Sequence, residues 1–249
     1  MFKLSSLTLK VLKNFSTIND NFLYVDQGNK ITTMSSNKTC LATATLDVEF
    51  SKSFAIYRVS RFLSALSLFN DPTITVNDTH LLIVDVEKEL VYEQLNELVH
   101  KPPKNHIDLP SVDVEFMFTK SQLTDTLKAL SVLSLDYIAF KGMNNNVYMS
   151  AVDVDNITKN MFSVKIGKTN RDFTVVVPVD NVKLMDSEAY NVSISKKGIM
   201  EIEIPNITYW ISYSSTHSKF AEWYKVLINK ASEEYNIVWM THFQVTFYG

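Results

Sequence analysis

Apolar residues recur at helical spacing over residues 5–19, SSLTLKVLKNFSTIN, where Val11, Phe15 and Ile18 join Leu4 and Leu7 on one stripe. The spacing returns at 57–69, YRVSRFLSALSLF, with Val59, Phe62, Leu63, Leu66 and Phe69, and at about 120–134, with Leu123, Leu127, Leu130 and Leu133. A shorter helical turn is predicted over 179–185, VDNVKLM. Between these stretches the pattern changes to alternation rich in Val, Ile, Thr and aromatics, which predicts half-buried strands. The first half gives strands at 21–26, 30–34, 39–48, 73–77, 80–86 and 88–92. The second half gives 112–118, 136–141, 146–152, 161–166, 172–177, 190–195, 199–204 and 207–213. Thr119 and Gln122 have capping-box spacing ahead of the third helix.

The order is strand, helix, strands, helix, strands, and then the same order again, so the chain reads as a pseudo-repeat of two similar domains. The boundary lies in Glu93–Pro110, which holds Pro102, Pro103 and Pro110 and loses strand alternation after Val99. The division is 1–100, a connector ending at 101–110, 111–220, and an extension at 221–249 that does not fit the repeat. The class is α+β, with antiparallel sheets flanked by helices on one side.

Charge changes this picture. The net charge is −3, so bulk attraction to nucleic acid is not expected. Yet the first helix carries Lys10 and Lys13, the second Arg58 and Arg61, and neither carries an acid. Lys128 sits on the third helix near Asp125, and Lys183 on the short turn. Helices with an apolar side and a basic side suit a core on one side and an anion on the other. Each cation alone also reads as an ordinary solvated surface charge.

Catalytic signatures are missing. With 5 glycines, phosphate-cradling loops are nearly excluded. The five histidines show no metal spacing, Cys40 has no partner cysteine, and no G-x-S-x-G elbow occurs. Asp47 with Glu49, and Asp153 with Asp155, are the carboxylate pairs an enzyme reading has to use; an acidic outer sheet face explains the first better, and a solvated strand end the second. No cofactor or metal is expected. No apolar run is long enough for a membrane span, and Lys10 and Lys13 interrupt what otherwise resembles a signal-peptide core.

The runs VLKNFSTIN (11–19), FLSALSLFND (62–71), PKNHIDLP (103–110), QLTDTLKALSVLSLD (122–136) and PVDNVKLM (178–185) resemble, in order and spacing, those of the DNA polymerase sliding clamps of T4-like bacteriophages. The resemblance covers about residues 1–220. It implies the DNA-clamp (processivity) fold: a homotrimeric ring of two-domain subunits, sheets on the outer rim, and basic helices lining a hole through which duplex DNA threads. Lys10, Lys13, Arg58, Arg61, Lys120, Lys128 and Lys183 then face DNA. The implied partners are duplex DNA held without sequence preference, the replicative DNA polymerase, an ATP-driven clamp loader and late-transcription proteins. The implied place is the cytoplasm of the infected bacterial host, and no enzymatic activity is implied. Partner peptides are expected near the connector, where Tyr92, Leu95, Leu98, Val99 and Ile107 supply apolar surface; these residues also read as pins holding the connector to the sheets.

The extension departs from the family pattern. Three readings compete for it: an added helix and strand, a loose extension, or a terminal segment (FQVTFYG, 243–249) that mimics a partner's apolar peptide. The alternative function is a non-ring clamp-like binding or transcription accessory module whose tail blocks ring closure or the partner pocket.

Overall fold

The computed structural model describes residues 1–94, 101–155 and 160–220. The first half opens with an isolated bridge from Phe2 to Ile74. Ser5 then caps helix α1 (Ser6–Ile18), its Oγ accepting from the Thr8 amide at 3.0 Å. Strands β1 (Phe22–Val25), β2 (Gly28–Met34), β3 (Cys40–Phe50) and β4 (Phe54–Tyr57) follow, then α2 (Val59–Leu66), β5 (Thr73–Val76), β6 (His80–Val84) and β7 (Glu89–Glu93). Gly28 takes φ 109° where the β1–β2 turn needs a left-handed residue.

The second half repeats the order: β8 (Val114–Thr119), α3 (Lys120–Leu133), β9 (Tyr137–Met143), β10 (Asn146–Val152), β11 (Phe162–Lys168) and β12 (Phe173–Pro178). A 3-10 turn (Val179–Asn181) then leads to β13 (Ala189–Ser195), β14 (Ile199–Ile204), β15 (Ile207–Ser212) and the short β16 (Lys219–Phe220). The capping box of α3 forms as expected: Thr119 and Gln122 cap each other's backbone amides.

Three sequence expectations are corrected. The second helix is shorter than 57–69. Arg58 sits in the left-handed region at φ 54°, so the helix begins only at Val59, and it ends at Leu66. Leu127 does not join the buried stripe of α3 but is 37% exposed, because Thr126 takes the inward position with Leu123 and Leu130. The fourth helical stretch condenses to the 3-10 turn; Asn181 points inward there and accepts from Thr39 Oγ1 at 2.8 Å.

The sheets are antiparallel. One of eight strands runs β4-β1-β2-β3-β15-β14-β13-β8 and crosses from one half of the chain to the other at the β3–β15 pair. A five-stranded sheet runs β11-β10-β9-β12-β16, and a three-stranded one β5-β6-β7. In the large sheet one register row is Phe116, Val192, Ile202, Tyr209 and Ala42, and it faces the core. The neighbouring row, Met117, Asn191, Glu203, Thr208 and Thr43, faces out. Val11 and Phe15 of α1 and Leu123 and Leu130 of α3 join one continuous core with that inner row, so both helices lie on the same side of the sheet. Phe118 stacks on its cross-strand neighbour Tyr190 at 4.8 Å, and Phe116 lies 5.3 Å from Phe140 of β9, packing the eight-stranded sheet against the five-stranded one. No helix among the described residues is long and apolar enough to cross a membrane.

Candidate nucleic-acid interface

The inner side is assembled from α1, α2, the segment after the 3-10 turn, and α3. On α1 the buried positions are Thr8, Val11, Leu12 and Phe15, which leaves Lys10 and Lys13 exposed on the opposite side. Asp47 holds the helix start. Its carboxylate accepts from Ser5 Oγ at 2.7 Å and Thr8 Oγ1 at 3.0 Å, and the Ser5 hydrogen bond leads the causes that lower its pKa. A negative charge there also complements the helix dipole.

On α2 the acid missing from the helix comes from outside it. Asp20 accepts from the Ser60 amide and the Ser60 hydroxyl, both at 2.7 Å, capping the first turn without placing a carboxylate on the exposed side. Arg58 and Arg61 are exposed, and Arg58 lies 5.5 Å from the centre of the Tyr57 ring.

A buried polar link joins α1 to the second half. Asn14 donates to the Lys183 carbonyl at 2.9 Å and accepts from the Tyr209 hydroxyl at 2.8 Å, and that hydroxyl accepts from the Met185 amide at 3.0 Å. The link seats the 183–185 segment beside α1. Sequence reading missed it, because neither residue breaks the pattern of its own element.

Lys10, Lys13, Arg58, Arg61 and Lys128 form no salt bridge with a described residue. Lys120 pairs with Asp186 at 2.9 Å and Lys183 with Asp180 at 3.4 Å. Both pairs are solvent-exposed, so each costs little to open.

The outer face of the same sheet carries Glu115, Glu201 and Glu203 on β8 and β14, and Asp108 of the connector lies near Glu201. Trp210 Nε1 donates to Glu201 at 2.7 Å. Burial still pushes the Glu201 carboxyl above its usual range. The connector runs over this face. Lys101 pairs with Asp26 at 2.8 Å, Thr43 donates to the Asn105 carbonyl at 2.6 Å, and the His106 ring meets Trp210 edge-on at 5.1 Å. It borders a recess of about 620 Å3 lined by Thr43, Asn105, His106, Glu203, Ile207 and Trp210, among others. A second, of about 310 Å3, lies between Phe22, Tyr24, Met34 and Pro102–Pro103.

Of the residues expected to bind partner peptides, Tyr92 and Ile107 line neither recess. The Tyr92 ring packs edge-on against Phe62 at 5.3 Å and its hydroxyl donates to the Tyr57 carbonyl at 2.8 Å, beneath α2. Ile107 is half-buried in the connector. Leu95, Leu98, Val99 and the extension 221–249 lie outside the described residues. One member of each carboxylate pair has a local role: Asp47 caps α1, and Asp153 accepts from the Asp155 amide at 2.9 Å in a local turn. No group of three or more His, Cys, Asp or Glu among the described residues is placed to hold a metal.

The model of the DNA polymerase processivity factor family matches residues 3–99. The sliding clamp of Vibrio phage KVP40 is 26% identical over 219 residues, 84% of this chain and 98% of that one. These likenesses support a phage sliding clamp. Solved clamps share its fold. Proliferating cellular nuclear antigen of Entamoeba histolytica superposes with a TM-score of 0.65 at 11% identity, over 84% of this chain and 95% of that one. The Helicobacter pylori beta clamp, solved with a DNA ligase peptide, also gives 0.65, at 13% identity, over 86% of this chain and 65% of that one. A processivity role fits a surface whose helices carry exposed cations.

Proposed function

We propose that the chain closes head to tail with two further copies into a ring around duplex DNA and tethers the replicative polymerase there, as a two-domain subunit divided at 1–100 and 111–220. The observation that carries the reading is the internal repeat of sheet edges. In the eight-stranded sheet, β4-β1-β2-β3 from the first half meets β15-β14-β13-β8 from the second. The counterpart of β3 is β11, the last strand of β12-β9-β10-β11; the counterpart of β15 is β7, the last strand after the Phe2 bridge, β5 and β6. Both β7 and β11 end their sheets among the described residues. An unpaired edge is a template for another chain. Joining β7 of one copy to β11 of the next repeats between chains what β3–β15 does within one, and such a heterologous contact closes into a ring. The exposed side of β7 carries Glu89 and Glu93, and that of β11 carries Lys165 and Lys168, so the two edges are complementary in charge.

Lys10, Lys13, Arg58, Arg61 and Lys128, with Lys120 and Lys183 freed from their carboxylates, then line the hole. A few phosphate contacts per subunit give weak, salt-sensitive binding, with dissociation constants of about 10⁻⁴–10⁻⁶ M. That suits sliding, because topology and not affinity retains the ring. An ATP-driven loader opens it, and the partner peptides of the polymerase and of late-transcription proteins dock beside the connector. The protein catalyses nothing itself and acts in the cytoplasm of the infected bacterium. Reversing Glu89→Lys with Glu93→Lys tests the edges: sedimentation is expected to show loss of the assembly, and adding Lys165→Glu with Lys168→Glu is expected to restore it. An unchanged assembly in the first variant overturns the assignment of these edges.

A further inference from the structure

The outer faces of the two halves are treated differently by the described chain. In the first half, Gln94 leaves β7 and its side chain accepts from the Ala55 amide on β4 at 3.4 Å. The chain next appears at Lys101, against Asp26 and the Tyr24 ring of β1. Pro102 and Pro103 lie against Phe22, Tyr24 and Met34, Asn105 reaches β3, and His106 reaches β15. Residues 101–106 thus cross the outer face of the first half strand by strand.

The second half begins the same course. Past β15, the Ser218 hydroxyl accepts from the Val176 amide on β12 at 2.9 Å, the counterpart of Gln94 on β4. Lys219–Phe220 then pairs with β12, and Phe220 stacks on Phe173 at 6.0 Å. Beyond this point lies a small apolar cluster separate from the main core: the buried Ala139, Val152 and Val176, with half-buried Tyr137 and Val154 packed against them. Ala139, Val152, Val154 and Val176 form the floor of a recess of about 290 Å3, walled on one side by Thr216, His217 and Lys219. The chain therefore leaves the described residues at the rim of that recess.

We propose that this outer face, over β12, β9 and β10, is a docking site for the chain's own segment 221–249, in the place that residues 101–103 take over β1 and β2 in the first half. Three observations select this occupant. The segment is tethered at the rim, which raises its local concentration far above that of a free peptide. It is longer than the connector stretch that spans the equivalent strands, and strands lie only about 4.8 Å apart. It also supplies large apolar side chains for an apolar recess, among them Trp223, Tyr224 and Trp239. The site lies on the outer side of the sheet, so the inference does not depend on ring closure or on DNA.

The test uses the full chain with a benzophenone amino acid in place of Thr174, whose side chain lines the recess, and in a second variant in place of Lys141. Irradiation and peptide mass spectrometry are expected to give cross-links to peptides within 221–249 of the same molecule, scored in a mixture of light and heavy isotope-labelled protein. Cross-links confined to other parts of the chain, to a second copy, or to solvent overturn the proposal. As a second readout, Val154→Asp is expected to speed tryptic cleavage at Lys225 and Lys230 about tenfold at an unchanged melting temperature. Equal cleavage rates in the two proteins contradict it.

Discussion

The two faces of the eight-stranded sheet come from alternate residues of the same strands, yet they have opposite surroundings. The inner row, from Phe116 through Tyr209 to Ala42, is buried under helices whose far sides carry Lys10, Lys13, Arg61 and Lys128. The outer row, one residue away, carries Glu203, Thr208 and Thr43 beneath the connector. A protein of net charge −3 thus carries these exposed cations on the side where helices cover the sheet. The acids that stabilise those helices are kept to their ends: Asp47 and Asp20 cap α1 and α2 from other elements. The lesson is one of placement, since a weak cationic surface on one side steers an anion away from the other.

The comparison breaks most severely by reversing charge on the inner side. Lys13→Glu with Arg61→Glu is expected to lower polymerase stimulation on long templates by about tenfold or more at moderate salt, since in the proposed ring both changes replace a phosphate contact with repulsion. Both residues are exposed and without a salt bridge to a described residue, so the melting temperature should hold, and a parallel thermal scan checks it.

A smaller effect is expected at the link between the inner helices and the sheet. Tyr209→Phe removes the hydroxyl that donates to Asn14 and accepts from the Met185 amide, at a cost of about 1–3 kcal/mol. Urea unfolding measures this. Loss of the link should also speed hydrogen exchange over 183–186 relative to the outer strands.

The smallest expected effect sharpens the outer face. Burial raises the Glu201 carboxyl above its unfolded value, so its contribution is most favourable below the carboxylate range and is lost as pH rises through the folded pKa. Glu201→Gln should raise the melting temperature slightly at neutral pH, with the gain vanishing in acid. A gain that persists at low pH would assign the effect to packing against Trp210 instead.

Much of this was legible in the sequence because it is periodic. Helices α1 and α3, the capping box at Thr119, the alternating strands and the repeat across the connector all follow from spacing. What spacing does not carry is pairing between distant elements. The β3–β15 junction joins residues whose alternation looks ordinary on each strand, and Asn14 and Tyr209 meet only once that junction forms. The end of α2 was overdrawn, because Leu68 and Phe69 continue the apolar pattern after the helix has stopped. For the interface, residue type named the cations but not their neighbours. Asp186 and Asp180 reach Lys120 and Lys183 through a turn whose course depends on the whole second half. Tyr92 drew attention as an apolar residue near the connector, and its place beneath α2 is set by Phe62 and by the Tyr57 carbonyl.

The most direct test of the ring is the mass of the full chain in solution, measured by light scattering across the micromolar range. The account predicts a concentration-dependent species of three 28.5 kDa chains, dispersed by the β7 charge reversal. A particle that stays one chain at every concentration, with the β7 and β11 amides already protected from hydrogen exchange, would contradict it.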